Sequence, residues 1–309
     1  FGVTATLILL SMHPFARCRG RTMTEVNAFD HAIHIAKSSR SPMERAAAAL
    51  DNTRYSIFCA TYASMRVIDD FVDDEFLALP KREAARTNAV ETVTFWRDNA
   101  IAALVDGVAP SDEDPFQKTH AALAATSHVA IVDPEPWKNL SAAMIRDVVE
   151  APMNSWQDFL AYAEGATAAP AAVFIEILAL EKWNGRLKST LLGPAVEHIR
   201  NSAILLYLVH IMRDLEKDAA KGPHLLTLPE EMFETLGMTP STFAATGRTN
   251  SALVHRVRST IADYASNFLM PALGELNTLD EKLSSNDSAI LRGLCIPYIE
   301  QYERFATNN

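Results

Sequence analysis

Two stretches of this chain carry ionisable side chains at a spacing that could grip a polyanion: Tyr55 to Glu75 (YSIFCATYASMRVIDDFVDDE) and Ser202 to Lys221 (SAILLYLVHIMRDLEKDAAK). A helix gathers positions i, i+4, i+7 and i+11 into one narrow strip, so Tyr62, Arg66, Asp69 and Asp73 share a face. Tyr207, His210, Asp214 and Asp218, at i, i+3, i+7 and i+11, do the same. Ile204, Leu205, Leu208, Val209, Ile211, Met212 and Leu215 clothe most of the remaining circumference of the second stretch, which predicts a buried helix. A strip of ionisable groups on a buried helix must face a wet cavity, a partner charge or a metal, because isolated buried carboxylates cost too much. Set opposite each other, Asp69, Asp73, Asp214 and Asp218 form a like-charged cluster that protons or cations must neutralise. Carboxylates at i, i+4 suit Mg²⁺, with Mn²⁺ as the alternative ion; Mg²⁺ takes one or two carboxylates and completes its shell with water and phosphate oxygens. The pattern therefore predicts a diphosphate claw. The competing reading is a pair of solvated helix ends, since DDFVDDE and RDLEKDAAK also have the composition of exposed last turns. Two such strips in one apolar, helical chain favour the claw.

The segments YASMRVIDDFVDD and YLVHIMRDLEKDA resemble the two aspartate-rich signatures of the squalene/phytoene synthase family, Y-x-x-x-R-x-x-D-D-x-x-D and Q-x-x-N-x-x-R-D-x-x-x-D. The similarity runs from about Ser38 to Arg292. It implies an all-α isoprenoid-synthase fold with a central prenyl-binding cavity, Mg²⁺ dependence, and head-to-head joining of two allylic prenyl diphosphates through a cyclopropylcarbinyl diphosphate. By the same resemblance Asp69 and Asp73 match the first metal-binding pair and Asp214 and Asp218 the second. Tyr62, Arg66 and Arg213 match groups that hold diphosphate. The usual glutamine and asparagine of the second signature are replaced by Tyr207 and His210, and a neutral imidazole is a softer ligand than an amide oxygen.

Three further places take a role from the resemblance. Ser38 to Ser41 is similar to a short serine and basic segment that contacts diphosphate, so Ser39 and Ser41 are candidate substrate contacts; an ordinary N-cap, with Ser41 before Pro42, is equally compatible. Tyr162, in SWQDFLAYAEGATAAPAAVFIEILALE, would face the pocket near the reacting carbons, against a competing place in the core. Its ring could meet a carbocation as a cation–π partner. Arg292, ten residues before Tyr302, resembles a C-terminal arginine that reaches diphosphate, against a surface salt bridge.

The elements that must position these groups read as helices throughout. Glu25 to Lys37, Pro80 to Asp106, Lys118 to His128, Trp137 to Glu150, Leu192 to Lys221, Ser251 to Leu276 and Ser284 to Phe305 all show helical periodicity. Gly165 to Pro170 predicts a kink or break, and Asn184-Gly185 reads as a helix stop. VAPSDEDPFQ reads as a solvated acidic loop. The pair Arg146-Asp147 echoes the second signature, but no carboxylate follows four residues later, so it is assigned no role. After Gly222-Pro223 a loop leading into a short helix could close over the diphosphate.

The whole chain has 309 residues, 49% hydrophobic, with a formal net charge of −10. That charge argues against a nucleic-acid partner. The three cysteines, Cys18, Cys59 and Cys295, have no paired spacing and suggest a reducing, cytoplasmic setting. Residues 1–22 precede Met23 and read as a segment upstream of the ordinary chain or appended to it, the apolar run Val3 to Leu10 being too short to cross a bilayer. Residues 23–309 then form one catalytic domain, soluble or peripheral to a membrane. The absence of G-x-G-x-x-G argues against a Rossmann domain, while NADPH use stays open, since relatives bind it without that motif. Three rival functions remain: cyclisation of one prenyl diphosphate or its transfer to another acceptor; a non-catalytic lipid-binding or assembly factor, which would normally have lost the aspartates; and a simple helical scaffold, which would not need two ionisable strips.

Overall fold

The structure, a computed structural model, describes residues 23–307. The expectations for residues 1–22, Cys18 included, lie outside the described residues.

Helices dominate, as the periodicity and the resemblance predict. In order they are α1 (Met23–Ser39), α2 (Pro42–Ala47), α3 (Asn52–Asp70), α4 (Arg86–Asp106), α5 (Gln117–Ser127), α6 (Glu135–Val148), α7 (Trp156–Ala163), α8 (Ala169–Leu178), α9 (Arg200–Lys221), α10 (Glu230–Thr235), α11 (Pro240–Ala245), α12 (Ser251–Lys282) and α13 (Ser285–Thr307). Between them stand three short strands, β1 (Ala130–Ile131), β2 (Leu180–Trp183) and β3 (Arg186–Ser189), in the order β1-β3-β2.

The two motif helices are the inner elements. Asp51 starts α3 by accepting hydrogen bonds from the Thr53 and Arg54 amides at 3.0 and 3.1 Å, satisfying donors that a helix N-terminus leaves open. The helix packs on α1, α5 and α8 and buries Ile57, Phe58, Cys59, Ala60, Ala63 and Ile68. It does not end at Asp70 but runs on as a π-turn over Phe71–Phe76. The apolar flanks of α9 are buried as predicted, Leu205, Leu208, Val209 and Met212 completely, each such side chain contributing roughly 1.5–3 kcal/mol. They face α12, α13 and α7, which leaves the polar strip for the inside.

The kink or break expected near Pro170 takes the form of a π-turn within an unbroken helical path. After α7 the chain passes through a second π-turn, Glu164–Ala168, and resumes as α8 with Pro170 in its first turn, where the missing N–H costs nothing. At Gly165 the π-turn lies so close to α6 that a Cβ would collide with the Asn139 carbonyl oxygen.

Three expectations are corrected. Asn184-Gly185 is not a helix stop but the turn of the β2–β3 hairpin, with φ of 45° and 84°; positive φ at both central residues matches the twist of paired strands. The helix expected from Leu192 begins only at Arg200, after a 3₁₀ turn at Ala195–His198. Asp114, in the loop that reads as solvated, is buried, accepting from the Phe116 amide at 2.8 Å and meeting His120 Nδ1 at 2.6 Å.

Candidate active site

Helices α3 and α9 face each other across a cavity of about 370 Å³ whose lining includes Arg66, Asp69 and Asp73 from the first and Tyr207, His210 and Asp218 from the second. Asp147 of α6, Tyr162 of α7, Lys221 at the end of α9 and the segment His224–Thr227 complete its wall. An apolar pocket adjoins it, lined by Met43, Phe58, Met65, Leu140, Val173 and Phe174 together with Tyr62. Arg66, Asp69 and Ala166 line both, so charge gives way to hydrocarbon within one cleft. Phe58 stacks on Tyr62 at 5.4 Å and meets Phe174 edge-on at 5.9 Å, a lining of ring faces.

On the first strip, water reaches Asp69 from the cleft, yet protein surrounds it on most sides. Burial, and then the neighbouring Asp73, push its pKa up to about 7. Burial and Asp74 raise Asp73 in the same way. Arg66 holds Asp69 at 3.2 Å and also pairs with Asp70, whereas among the described residues the Asp73 side chain has neither a hydrogen bond nor a salt bridge.

The second strip is organised differently. Arg213 donates to both oxygens of Asp214, at 3.2 and 2.8 Å, and this hydrogen bonding holds Asp214 below the usual carboxylate range. The same guanidinium lies 2.7 Å from His210 Nδ1. Since a guanidinium can only donate, Nδ1 accepts and the imidazole proton sits on Nε2, 3.4 Å from Asp214 Oδ2. Burial, with the adjacent Arg213 cation, lowers the His210 pKa. Asp218, raised by burial and by Asp214, is unpaired like Asp73. Tyr207 stacks on Phe159 at 5.9 Å, and Thr227 lines the same cavity.

The remaining candidates divide. Tyr162 lines the cavity and its hydroxyl donates to Asp147 Oδ2 at 2.9 Å. Asp214 and Arg213 are not among the lining side chains; Arg213 borders a separate groove with Arg45 and Tyr298. Ser39 Oγ donates to the Ala36 carbonyl and accepts from the Ser41 amide, while Ser41 caps α2 through the Glu44 amide. Arg292 bonds Asp280 and Asn277 on the outer face of α12.

Asp147 is the cavity residue that sequence reasoning misses. Burial pushes its pKa up to about 7 even though the Tyr162 hydrogen bond acts against the rise, and Asp73 and Asp69 add to it. A signal is present: Leu140, Met144 and Asp147 lie at i, i+4 and i+7, an apolar strip ending in an acid, as on α3. The test of a four-residue carboxylate repeat alone hides it.

The donor set fits a magnesium ion. Asp73 and Asp218 offer hard oxygen donors whose side chains pair with no described residue, while among the described residues no group of three His, Cys, Asp or Glu is placed to hold a metal ion by itself. That combination suits an ion that keeps its waters and binds through phosphate oxygens.

The architecture defines a class before it defines a family. Solved structures of similar fold include a dehydrosqualene synthase in complex with ligand (TM-score 0.63, 15% identity, covering 90% of this chain and 86% of that one). Another is the squalene synthase HpnC from Alicyclobacillus acidocaldarius (TM-score 0.67, 17% identity, covering 92% and 95%). The molecule thus has the helical isoprenoid-synthase fold. No curated protein matches the chain by sequence. The squalene/phytoene synthase profile matches residues 36–299, and the chain belongs to that family: it is a prenyltransferase of the head-to-head type.

Proposed function

We propose that this enzyme joins two allylic prenyl diphosphates of the farnesyl or geranylgeranyl class, through a cyclopropylcarbinyl diphosphate, to a squalene- or phytoene-type hydrocarbon. The observation that carries the reading is the continuity of the carboxylate cavity with the apolar pocket at Arg66, Asp69 and Ala166. It offers one substrate molecule a place for each of its unlike ends.

Asp69, Asp73 and Asp218, with Asp214 behind them, would hold Mg²⁺, or Mn²⁺ in its stead; the bound ion supplies charge neutralisation for the diphosphate leaving group. Arg66 places its fixed positive charge beside that group, and Lys221 adds a second cation at the rim. Preorganised charge of this kind supplies much of the rate of such reactions. The allylic cation left behind is met by the ring faces of Tyr62 and Phe58, in a pocket whose apolar walls exclude the water that would quench it. Attack by the second chain's double bond, with transfer of one proton to the released diphosphate, closes the cyclopropane. Tyr162, fixed by Asp147, stands on the same wall. Ser39, Ser41, Arg213 and Arg292 reach substrate in this reading only by exchanging the local partners described above.

Reduction of the second cation by NADPH would give squalene, proton loss would give dehydrosqualene or phytoene, and water would give a hydroxylated product. Residues 23–309 act as one catalytic domain in the cytoplasm, meeting a membrane surface to release the hydrocarbon. Tyr207 and His210, which stand in the cavity in place of the family's amides, favour one second reading, transfer to another acceptor or cyclisation of a single chain. Incubating the full chain with Mg²⁺ and radiolabelled farnesyl or geranylgeranyl diphosphate, with and without NADPH, separates the two. A product of doubled carbon number with diphosphate release is expected; only a C15 or C20 hydrocarbon or alcohol would overturn the condensation.

A further inference from the structure

The small sheet stands apart from the carboxylate cavity, and one of its faces has a chemistry of its own. In the hairpin Trp183 pairs with Arg186 and Glu181 with Lys188, and because side chains alternate across a strand these four share a face. Trp183 is 46% exposed and Leu192, on the segment leaving β3, is 83% exposed. The Lys188 ammonium lies 4.9 Å from the centre of the Trp183 ring. Beside Arg186 and Lys188 runs a groove of about 480 Å³ whose walls include Leu104, Val105 and Ile131.

The other tryptophans have settled environments. Trp96 and Trp137 are fully buried and donate to the Ser64 carbonyl and hydroxyl at 2.9 and 3.1 Å; Trp156 stacks on Tyr264 at 3.6 Å. Trp183 has an exposed ring and an indole N–H without a hydrogen-bond partner. Its face of the hairpin carries Arg186 and Lys188 against Glu181 alone, in a chain of net charge −10. A local basic excess on an acidic molecule selects an anionic partner. An amphipathic indole flanked by cations and an exposed leucine suits the boundary between lipid headgroups and acyl chains.

We propose that this face of the sheet docks on an anionic lipid bilayer, with Trp183 and Leu192 entering the headgroup–acyl boundary and Arg186 and Lys188 meeting lipid phosphates. Its use rests on the condensation reading, since a water-insoluble hydrocarbon needs a membrane to receive it. Helix α8 supplies the connection: Val173 and Phe174 line the apolar pocket, and the same helix leads directly into β2.

The test is co-sedimentation of the full chain, without substrate, with phosphatidylcholine vesicles containing about one-third phosphatidylglycerol, against pure phosphatidylcholine. Binding to the anionic vesicles alone is expected, weakening with salt, with a blue shift of tryptophan emission that Trp183→Phe removes. The double variant Arg186→Ala/Lys188→Ala should bind roughly thirty-fold more weakly, each basic group contributing about fivefold, while its turnover of detergent-dispersed substrate stays at wild-type level. No sedimentation with anionic vesicles, or equal binding by the double variant, would overturn the proposal. So would a concentration-dependent dimer that Trp183→Ala dissolves, which would make a second copy of the chain the occupant. Because binding is read without turnover, its failure leaves the condensation reading intact, and an inactive protein that still binds vesicles strikes the condensation reading alone.

Discussion

The two aspartate strips share a spacing and differ in how their charge is managed. On α3, Asp69 and Asp73 crowd one another at the turn where the α-helix loosens into a π-helix, and burial raises the pKa of both. On α9, Asp214 is neutralised from within the helix by Arg213, so its pKa falls. On the first strip Arg66 pairs with Asp69 without offsetting its burial, and Asp73 has no ion-pair partner among the described residues. The second is half satisfied by the protein, leaving Asp218 as its open ligand. The contrast teaches that identical i, i+4 carboxylates need not be equivalent, because a basic residue one position away can convert a ligand into a support.

The strongest challenge to that contrast is removal of each carboxylate in turn. Asp69→Ala and Asp214→Ala should each lower kcat by at least about a hundredfold, the scale for deleting one preorganised electrostatic group, with circular dichroism unchanged. The two should part in metal affinity: titration of Mn²⁺ by electron paramagnetic resonance should show the greater loss for Asp69→Ala. Equal losses would erase the difference between the strips. Wild-type turnover in either variant would count against the claw itself.

Next in size is the pair that extends the first strip. Asp147→Ala and Tyr162→Phe both break the 2.9 Å hydrogen bond, and each should reduce kcat by about ten- to a hundredfold, below the general acid–base scale, with KM little changed. A double variant no worse than either single one would show that they act as a unit.

Titration of stability gives a smaller and purely directional effect. The folded pKa values of Asp69 and Asp147 lie near 7, above that of an ordinary aspartate. The folded protein therefore binds these protons more tightly than the unfolded chain, and the stability they contribute, full below about pH 4, is lost as pH rises through about 7. Asp214 has the opposite sign: its contribution is present at neutral pH and is lost only as pH falls below the ordinary aspartate range. Thermal midpoints in metal-free buffer should fall from pH 4 to 7, fall less steeply in Asp69→Asn because Asp147 still titrates, and keep the wild-type slope in Asp214→Asn.

The smallest effect belongs to His210→Asn. Asp214 keeps both Arg213 hydrogen bonds when the imidazole goes, so kcat should stay within about tenfold. A loss of a hundredfold or more, the range of a proton-transferring group, would give His210 a chemical role and make the second strip more than a support.

Both strips are legible in the sequence because an i, i+4, i+7 pattern on an apolar helix has few physical solutions. Tyr62, Arg66, Asp69, Asp73, Tyr207, His210 and Asp218 come together as that pattern demands. What escapes depends on tertiary or subtler backbone geometry. Arg213 lies beside the strip in sequence, yet its long side chain folds back on Asp214 and borders a different groove. Ser39 and Ser41 could serve a ligand or a helix cap, and in the structure they cap. Asp147 ends the strip Leu140, Met144, Asp147, which a search for paired carboxylates passes over. The hairpin is readable in LEKWNGRLKS, where Asn-Gly separates two strand-like runs, but a helical context on both sides conceals it.

A missing methyl group governs the calibre of the tunnel. Gly165 lets the loosened turn between α7 and α8 rest on the backbone of α6, so Ala166, shared by the polar and apolar compartments, and Asp147 opposite are held at a fixed separation. An alanine at 165 would act as a shim driven between two walls, prising Tyr162 from its acid and enlarging the bore at the junction where a substrate's head meets its tail. The spacing between that turn and α6 thus rests on one hydrogen atom at position 165, where a Cβ would meet the Asn139 carbonyl oxygen.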